Sequence, residues 1–307
     1  MPQTAPAIYV KLVLTALFWG GTWIAGRVAV QEAAPLAVAC WRFSIAALVL
    51  GVLLVRREGW PRWTGRQWLL VAALGLTGVF CYNVFFLYGL KHVEAGRGAL
   101  VAAFIPAMIA LIDSLLFRLP MSPKKALGVA LALFGCLLVV TRGDPARLFA
   151  GEVGFGERLL LGSAVSWVCY TLISRYCMQR FSALAMTFGG CLTGWLMLTA
   201  AALADGELFA FAATTWRGWT SIAFLGLFGT ALAFTWYCDA IARIGTTKTA
   251  AFINLVPVFG VVLGALLLDE RLPAAVLAGG ALVICGVLLT SRSAQAPSRK
   301  PAGAVKP

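Results

Sequence analysis

The side chains in this chain with chemical capacity are aromatic rings and amides rather than acid–base pairs. Trp19 and Trp167 each lie ten or eleven residues inside a long apolar run. At a rise of about 1.5 Å per residue that is about 15 Å deep, the middle of a bilayer. No headgroup is available there, so the indole N–H needs another partner. The ring faces offer stacking or cation–π contact to an ammonium, and plain helix packing is the competing use. Trp23 and Tyr170 fall near the same heights and extend such an aromatic wall. Tyr82, Asn83, Phe86 and Tyr237 occupy apolar runs too, and a polar group there must find a partner or a wet cavity. Asn254 lies three residues before Pro257. A proline inside a helix frees a backbone carbonyl, and that group with the Asn amide suits a carboxylate or an amine. Pro106 offers the same opening earlier in the chain, and both prolines read first as kinks or hinges.

Enzyme chemistry finds little support. The single histidine, His92, is in a loop, and no two acidic residues share a helix face within an apolar run. All eight cysteines fall inside apolar segments without a CxxC pair, so neither a disulfide framework nor a metal site is expected. No cofactor is expected either.

The elements that must hold these groups are transmembrane helices. Of 307 residues, 61% are hydrophobic and 12% charged, about half the charge of a soluble domain. Ten windows supply the apolar length that a crossing needs: 8–30, 34–55, 67–90, 96–117, 124–141, 157–178, 183–203, 216–241, 247–268 and 273–291. The first reads as a retained helix rather than a cleaved signal. Sixteen Lys and Arg fall at the termini and on the even-numbered loops, against eight on the odd-numbered ones. This bias places both termini in the cytoplasm of an inner (cell) membrane. The net charge of +13 comes from these scattered loop residues and the tail, so nucleic acid is not an expected partner. Trp60, Trp63 and Trp68 on one side, with Trp216 and Trp219 on the other, suit interfacial belts. The tail, residues 293–307, is expected to be disordered.

An internal repeat organises the helices. A shift of 148 carries Trp19 onto Trp167 and Arg27 onto Arg175; a shift of 151 carries Leu74-Gly75-Leu76-x-Gly78 onto Leu225-Gly226-Leu227-x-Gly229, and Pro106 onto Pro257. One length difference of three residues reconciles the registers. The expected domains are 1–145 and 152–292, five helices each. Five is odd, so the second copy enters from the opposite face, an architecture whose solute sites lie near the midplane between the repeats. The fold class expected is therefore an all-α polytopic membrane protein of two inverted five-helix repeats.

Symmetry also sorts scaffold from site, because a polar residue in one half alone is not explained by the shared scaffold. Gly75, Gly78, Tyr82, Phe86 and Gly89 form one helical stripe; its mate is Gly226, Gly229, Ala233, Tyr237 and Ala240. Tyr82 against Ala233, Asn83 against Phe234 and Asn254 against Ala103 break the symmetry. Arg42 pairs with Gly190 and Asp113 with Gly264. Asp113 and Asp239 are expected to be hydrated at the cytoplasmic boundary, Lys91 and Arg97 to be solvated loop charges, and Glu270 to fix the turn into the tenth helix. Gly128-x3-Ala132-x3-Cys136 and Ala281-x3-Cys285 suggest close packing or oligomer contact.

Several stretches resemble the ten-helix drug/metabolite transporter superfamily, the EamA-type carriers. Phe18-Trp19-Gly20-Gly21-Thr22-Trp23 is similar to its first-helix signature and Trp41-Arg42-Phe43 to its second. Pro257, the run Leu268-Asp269-Glu270-Arg271-Leu272-Pro273, Gly279-Gly280 and Gly286 are similar to its ninth and tenth helices. The resemblance implies an alternating-access carrier whose cavity is lined by helices 1, 3, 4, 6, 8 and 9, with the second helix outside the wall and Arg42 structural. Within the superfamily the chain is most similar to aromatic amino-acid exporters. The expectation is a secondary transporter of small metabolites, amino acids foremost, working in the lipid bilayer as a monomer or weak homo-oligomer. The alternative is a broad exporter of hydrophobic drugs or, further off, a pore.

Overall fold

A computed structural model describes residues 5–116, 121–146, 153–209 and 214–293, and they are helical nearly throughout. The tail beyond Ser293 and the charges Arg118 and Arg147 lie outside the described residues. Among the described residues ten long helical segments follow in order: α1 (Ala5–Glu32), α2 (Pro35–Glu58), α3 (Gly65–His92), α4 (Ala95–Leu116), α5 (Pro123–Val140), α6 (Phe155–Cys177), α7 (Ala183–Ala204), α8 (Trp216–Ile244), α9 and α10 (Ala274–Ser293). α9 runs through Thr246–Ala251, a 3-10 turn at Phe252–Leu255 and Val256–Leu268. Nine of the ten are long and apolar enough to cross a membrane. The other, α6, has the length at 23 residues but dilutes its apolar content with Glu157, Arg158, Arg175 and three serines.

The starts follow local chemistry. Thr64 closes a capping box with Gln67, and Ser122, Ser182 and Thr215 accept backbone N–H groups that their helices leave unpaired. Because the helices alternate, the bundle has a near face, which holds the N-terminus and the α2–α3 connection, and a far face, which holds the α1–α2 and α3–α4 connections.

Two features were not anticipated from sequence. Gly75–Cys81 in α3 and Leu227–Leu232 in α8 are π-helical, at matching places in the two repeats. In the second, Thr230 Oγ1 donates to the Leu225 carbonyl, five residues back. Such a turn carries an extra residue and rotates the helix beyond it, so the uniform stripe expected along α3 is interrupted. The glycines make the bulges close neighbours of other helices. A Cβ on Gly75 would lie 2.6 Å from the Gly194 nitrogen of α7, and one on Gly226 would lie 2.8 Å from the Arg42 carbonyl of α2.

Packing interlaces the two halves. α1 packs on α8 and α9, and α2 on α8; in the other half α6 packs on α3 and α4, and α7 on α3. Each repeat thus lays its first two helices on the partner's third and fourth. α5 and α10 pair with each other at the side of this eight-helix body. Their seam joins Gly128, Ala132 and Gly135 to Gly279, Val283, Gly286 and Thr290. The packing motif expected in α5 lies in this seam within the chain. The one expected in α10 does not, since Ala281 and Cys285 face outward.

Candidate functional site

Helices α3 and α6 carry one aromatic wall. Tyr82 stacks on Phe86 at a centroid distance of 5.6 Å, Tyr82 meets Trp167 at 5.0 Å, and Trp167 meets Tyr170 at 5.0 Å. Gly78 is what lets Tyr170 approach, because a Cβ there would strike its ring. Helices α1 and α8 carry the other wall. Trp19 lies 5.4 Å from Phe234 and 5.2 Å from Tyr237, and its indole N–H donates to the Gly229 carbonyl at 3.1 Å. Gly229 belongs to the π-helical turn of α8, so the half-buried indole finds its partner on a bulged stretch of backbone. Each wall is therefore built from a tryptophan of one repeat and aromatic residues of the other. Trp19 and Trp167 do not touch one another; they occupy equivalent seams.

Trp23 lies one helical turn beyond Trp19 toward the far face, where it is buried edge-to-face on Phe86 at 4.8 Å. Gly98 in α4 accommodates it, since a Cβ there would come within 2.8 Å of the indole. Trp23 and Phe86 thus pack together on the far-face side of Trp19 and Tyr82. Trp19, Tyr82, Trp167, Tyr170 and Tyr237 keep partial exposure below them. Asn254 is also partly exposed, in the 3-10 turn of α9. Pro257 is the second residue of the α-helical stretch after that turn, and Pro106 follows the break at Ala103–Phe104 in α4. Both helices are interrupted at equivalent places, as the missing proline N–H dictates.

Asn83 is buried behind the first wall, 1% exposed. Its Nδ2 donates to the Val79 carbonyl at 2.7 Å, and its Oδ1 accepts from Arg42 Nη1 at 2.9 Å. Arg42 Nε donates to Thr230 Oγ1 at 3.2 Å. Arg42 therefore leaves α2 inward and joins α3 to α8.

The far face is tied by buried charge. Arg97 Nη2 pairs with Glu157 Oε1 at 2.5 Å, with both side chains under 10% exposed, and Arg97 Nε faces Glu94 at 3.3 Å. Arg97 is thus no solvated loop charge. Glu270 accepts the backbone N–H groups of Ala95 and Gly96 at 2.6 and 2.8 Å, so it caps α4 rather than fixing the turn into α10. Glu32 accepts the Thr215 and Gly218 N–H groups and so caps α8 in the same way. Arg27 donates to the Leu90 carbonyl. The near face is tied by exposed pairs: Arg175 holds Asp113 through two bonds, at 2.7 and 3.1 Å, and Arg57 lies 3.7 Å from Asp239. Both aspartates are therefore ion-paired rather than simply hydrated.

Trp60, Trp68, Trp216 and Trp219 are exposed at the two faces, whereas Trp63 packs on Trp68, Phe181 and Phe188. Among the described residues no three His, Cys, Asp or Glu side chains are grouped to hold a metal ion.

The sequence profile of the EamA-like transporter family matches residues 7–141 and again residues 154–292. The uncharacterized transporter YyaM of Bacillus subtilis is 28% identical over 285 residues, covering 92% of this chain and 93% of that protein. A protein of Streptantibioticus cattleyicolor described as "Probable terminal-alkyne amino-acid exporter" is 28% identical over 285 residues, covering 92% of each chain. A crystal structure with 20% identity superposes with a TM-score of 0.63 over 95% of this chain and all of the other, a likeness of fold. The doubled match repeats the duplication seen in sequence and structure, and the chain belongs to the EamA-like transporter family, a membrane transporter and not an enzyme.

Proposed function

We propose that this transporter is a secondary carrier of amino acids, aromatic or otherwise apolar, and that it works by alternating access through the space between the two aromatic walls. In this reading the near face is cytoplasmic, both termini are inside, and the chain acts as a monomer or weak homo-oligomer in the inner membrane. The observation that carries the proposal is the crossed construction of the walls. Trp19 meets α8, and Trp167 meets α3. A relative movement of the halves therefore slides the aromatic surfaces past a solute instead of removing them. Rings at mid-depth suit an apolar or aromatic side chain, and their faces suit an ammonium group. The exporter likeness points to the same class of solute.

Trp19→Ala and Trp167→Ala are each expected to lower amino-acid counterflow in proteoliposomes about tenfold or more, with the folded protein still present in the membrane. Normal rates in both variants would remove the aromatic walls from the mechanism. Non-saturating flux would favour a pore, and competition by lipophilic cations in place of amino acids would favour the drug-exporter alternative.

A further inference from the structure

Among the described residues two cations are buried, Arg97 and Arg42. Arg97 has Glu157 and Glu94 as counter-ions. Arg42 is 7% exposed, and among the described residues no carboxylate lies within 4 Å of it. It sits eight residues into α2, about 10 Å from the far end of that helix, and so within the hydrocarbon span. A guanidinium has five N–H donors in a fixed fork. Neutral oxygens occupy two of them, Asn83 Oδ1 and Thr230 Oγ1. A charge held in this way is solvated but not neutralised, an unfavourable state at this depth.

The location is as informative as the missing counter-ion. Asn83 follows Tyr82 of the first wall, and Thr230 follows Gly229, the acceptor of Trp19 in the second. The guanidinium therefore lies between α3 and α8, beside the π-helical turns of both helices. The repeat mate of Arg42 is Gly190, so the duplicated scaffold folds without a cation at this position. Toward the near face, α2, α7 and α8 border a cavity of about 40 Å³ lined by Leu50, Arg57, Thr187, Phe234, Cys238 and Asp239, room for about three water molecules.

Resting on the amino-acid reading above, we infer that Arg42 is the subsite for the solute carboxylate, with the solute side chain lying along the Tyr82–Trp167 wall. A single negative charge neutralises the guanidinium, whereas a dianionic phosphate would leave an excess negative charge in the span. Free N–H groups of the guanidinium fork would donate to the carboxylate, a charge-assisted geometry well matched in shape. Asn83 and Thr230 are positioning residues that hold the fork.

The test is binding to purified protein in lipid nanodiscs, read by calorimetry, with two probes of equal shape: 3-phenylpropanoate and 3-phenylpropanamide. The wild type is expected to hold the acid at least tenfold more tightly than the amide. Arg42→Gln should erase that preference with amide binding retained, and Arg42→Lys should keep part of it. Equal affinity of the wild type for both probes overturns the subsite and leaves the carrier standing, a result that needs no variant to fold. A preference that survives Arg42→Gln, or a variant that loses both probes equally, also overturns it. Binding of neither probe by the wild type overturns the amino-acid reading and the subsite with it.

Discussion

Arg97→Ala is expected to cost about 3–5 kcal/mol of stability, because it strands Glu157 as a buried carboxylate without its principal counter-ion. Arg142 is the next cation, 3.9 Å from Glu157 and half-exposed, too distant and too wet to replace it. The double variant Arg97→Leu/Glu157→Leu should recover most of the loss, since a buried ion pair exchanged for apolar side chains is close to neutral. Thermal unfolding in detergent checks both: a large fall in midpoint for the single change and a small one for the double. Equal falls would mean that the two residues act separately. The pair joins α4 to α6, hence one repeat to the other, so the same variants weaken the far-face closure specifically.

The second large effect is expected from one added methyl group. A Cβ on Gly286 would lie 2.5 Å from the Gly128 carbonyl and 2.6 Å from the Ala132 nitrogen. Both are helix backbone, and neither can rotate away. Gly286→Ala therefore forces α5 and α10 apart along a seam that depends on backbone approach, because lipid supplies no hydrophobic drive to hold two helices together. Overpacking of this kind costs about 1–3 kcal/mol in a well-packed core. Gly128→Ala should behave alike, since its Cβ would meet the Gly286 carbonyl at 2.7 Å. Gly65→Ala, with nothing within 4 Å, is the control. Size-exclusion profiles should show loss of the folded peak for the seam variants and an unchanged peak for the control. An intact Gly286→Ala protein would mean that α5 and α10 do not pack this way in lipid.

The physical basis of these effects was legible in the sequence to different degrees. The number of helices and their duplication are set by apolar length and by matched residues such as Trp19 and Trp167, and both are visible without coordinates. The depth of those tryptophans follows from rise per residue alone. The π-helical turns are not visible, because hydropathy reports which residues are apolar but not which carbonyl a given N–H reaches. The only trace is the glycine pair repeated at Gly75/Gly78 and Gly226/Gly229. Arg97 resembled a loop charge because its partner, Glu157, is 60 residues away in the other repeat. Arg42 is a similar case: the inward side of α2 is defined only once α2 is laid on α8 of the other half. Glu270 was assigned to the turn it follows in sequence, and the α4 N-terminus that it caps is 174 residues distant. In each instance the missing information was a partner across the repeat boundary.

In the proposed alternating-access cycle, α4 and α9 separate at the far face. They meet where a Cβ on Gly96 would lie 3.3 Å from Val261 Cα, beside the Glu270 cap. The most direct measurement is amino-acid counterflow in proteoliposomes by a Gly96→Cys/Val261→Cys variant, built in a background with the eight native cysteines replaced. Oxidation to the disulfide should stop transport, and reduction should restore it. Undiminished counterflow by fully cross-linked protein would contradict the account.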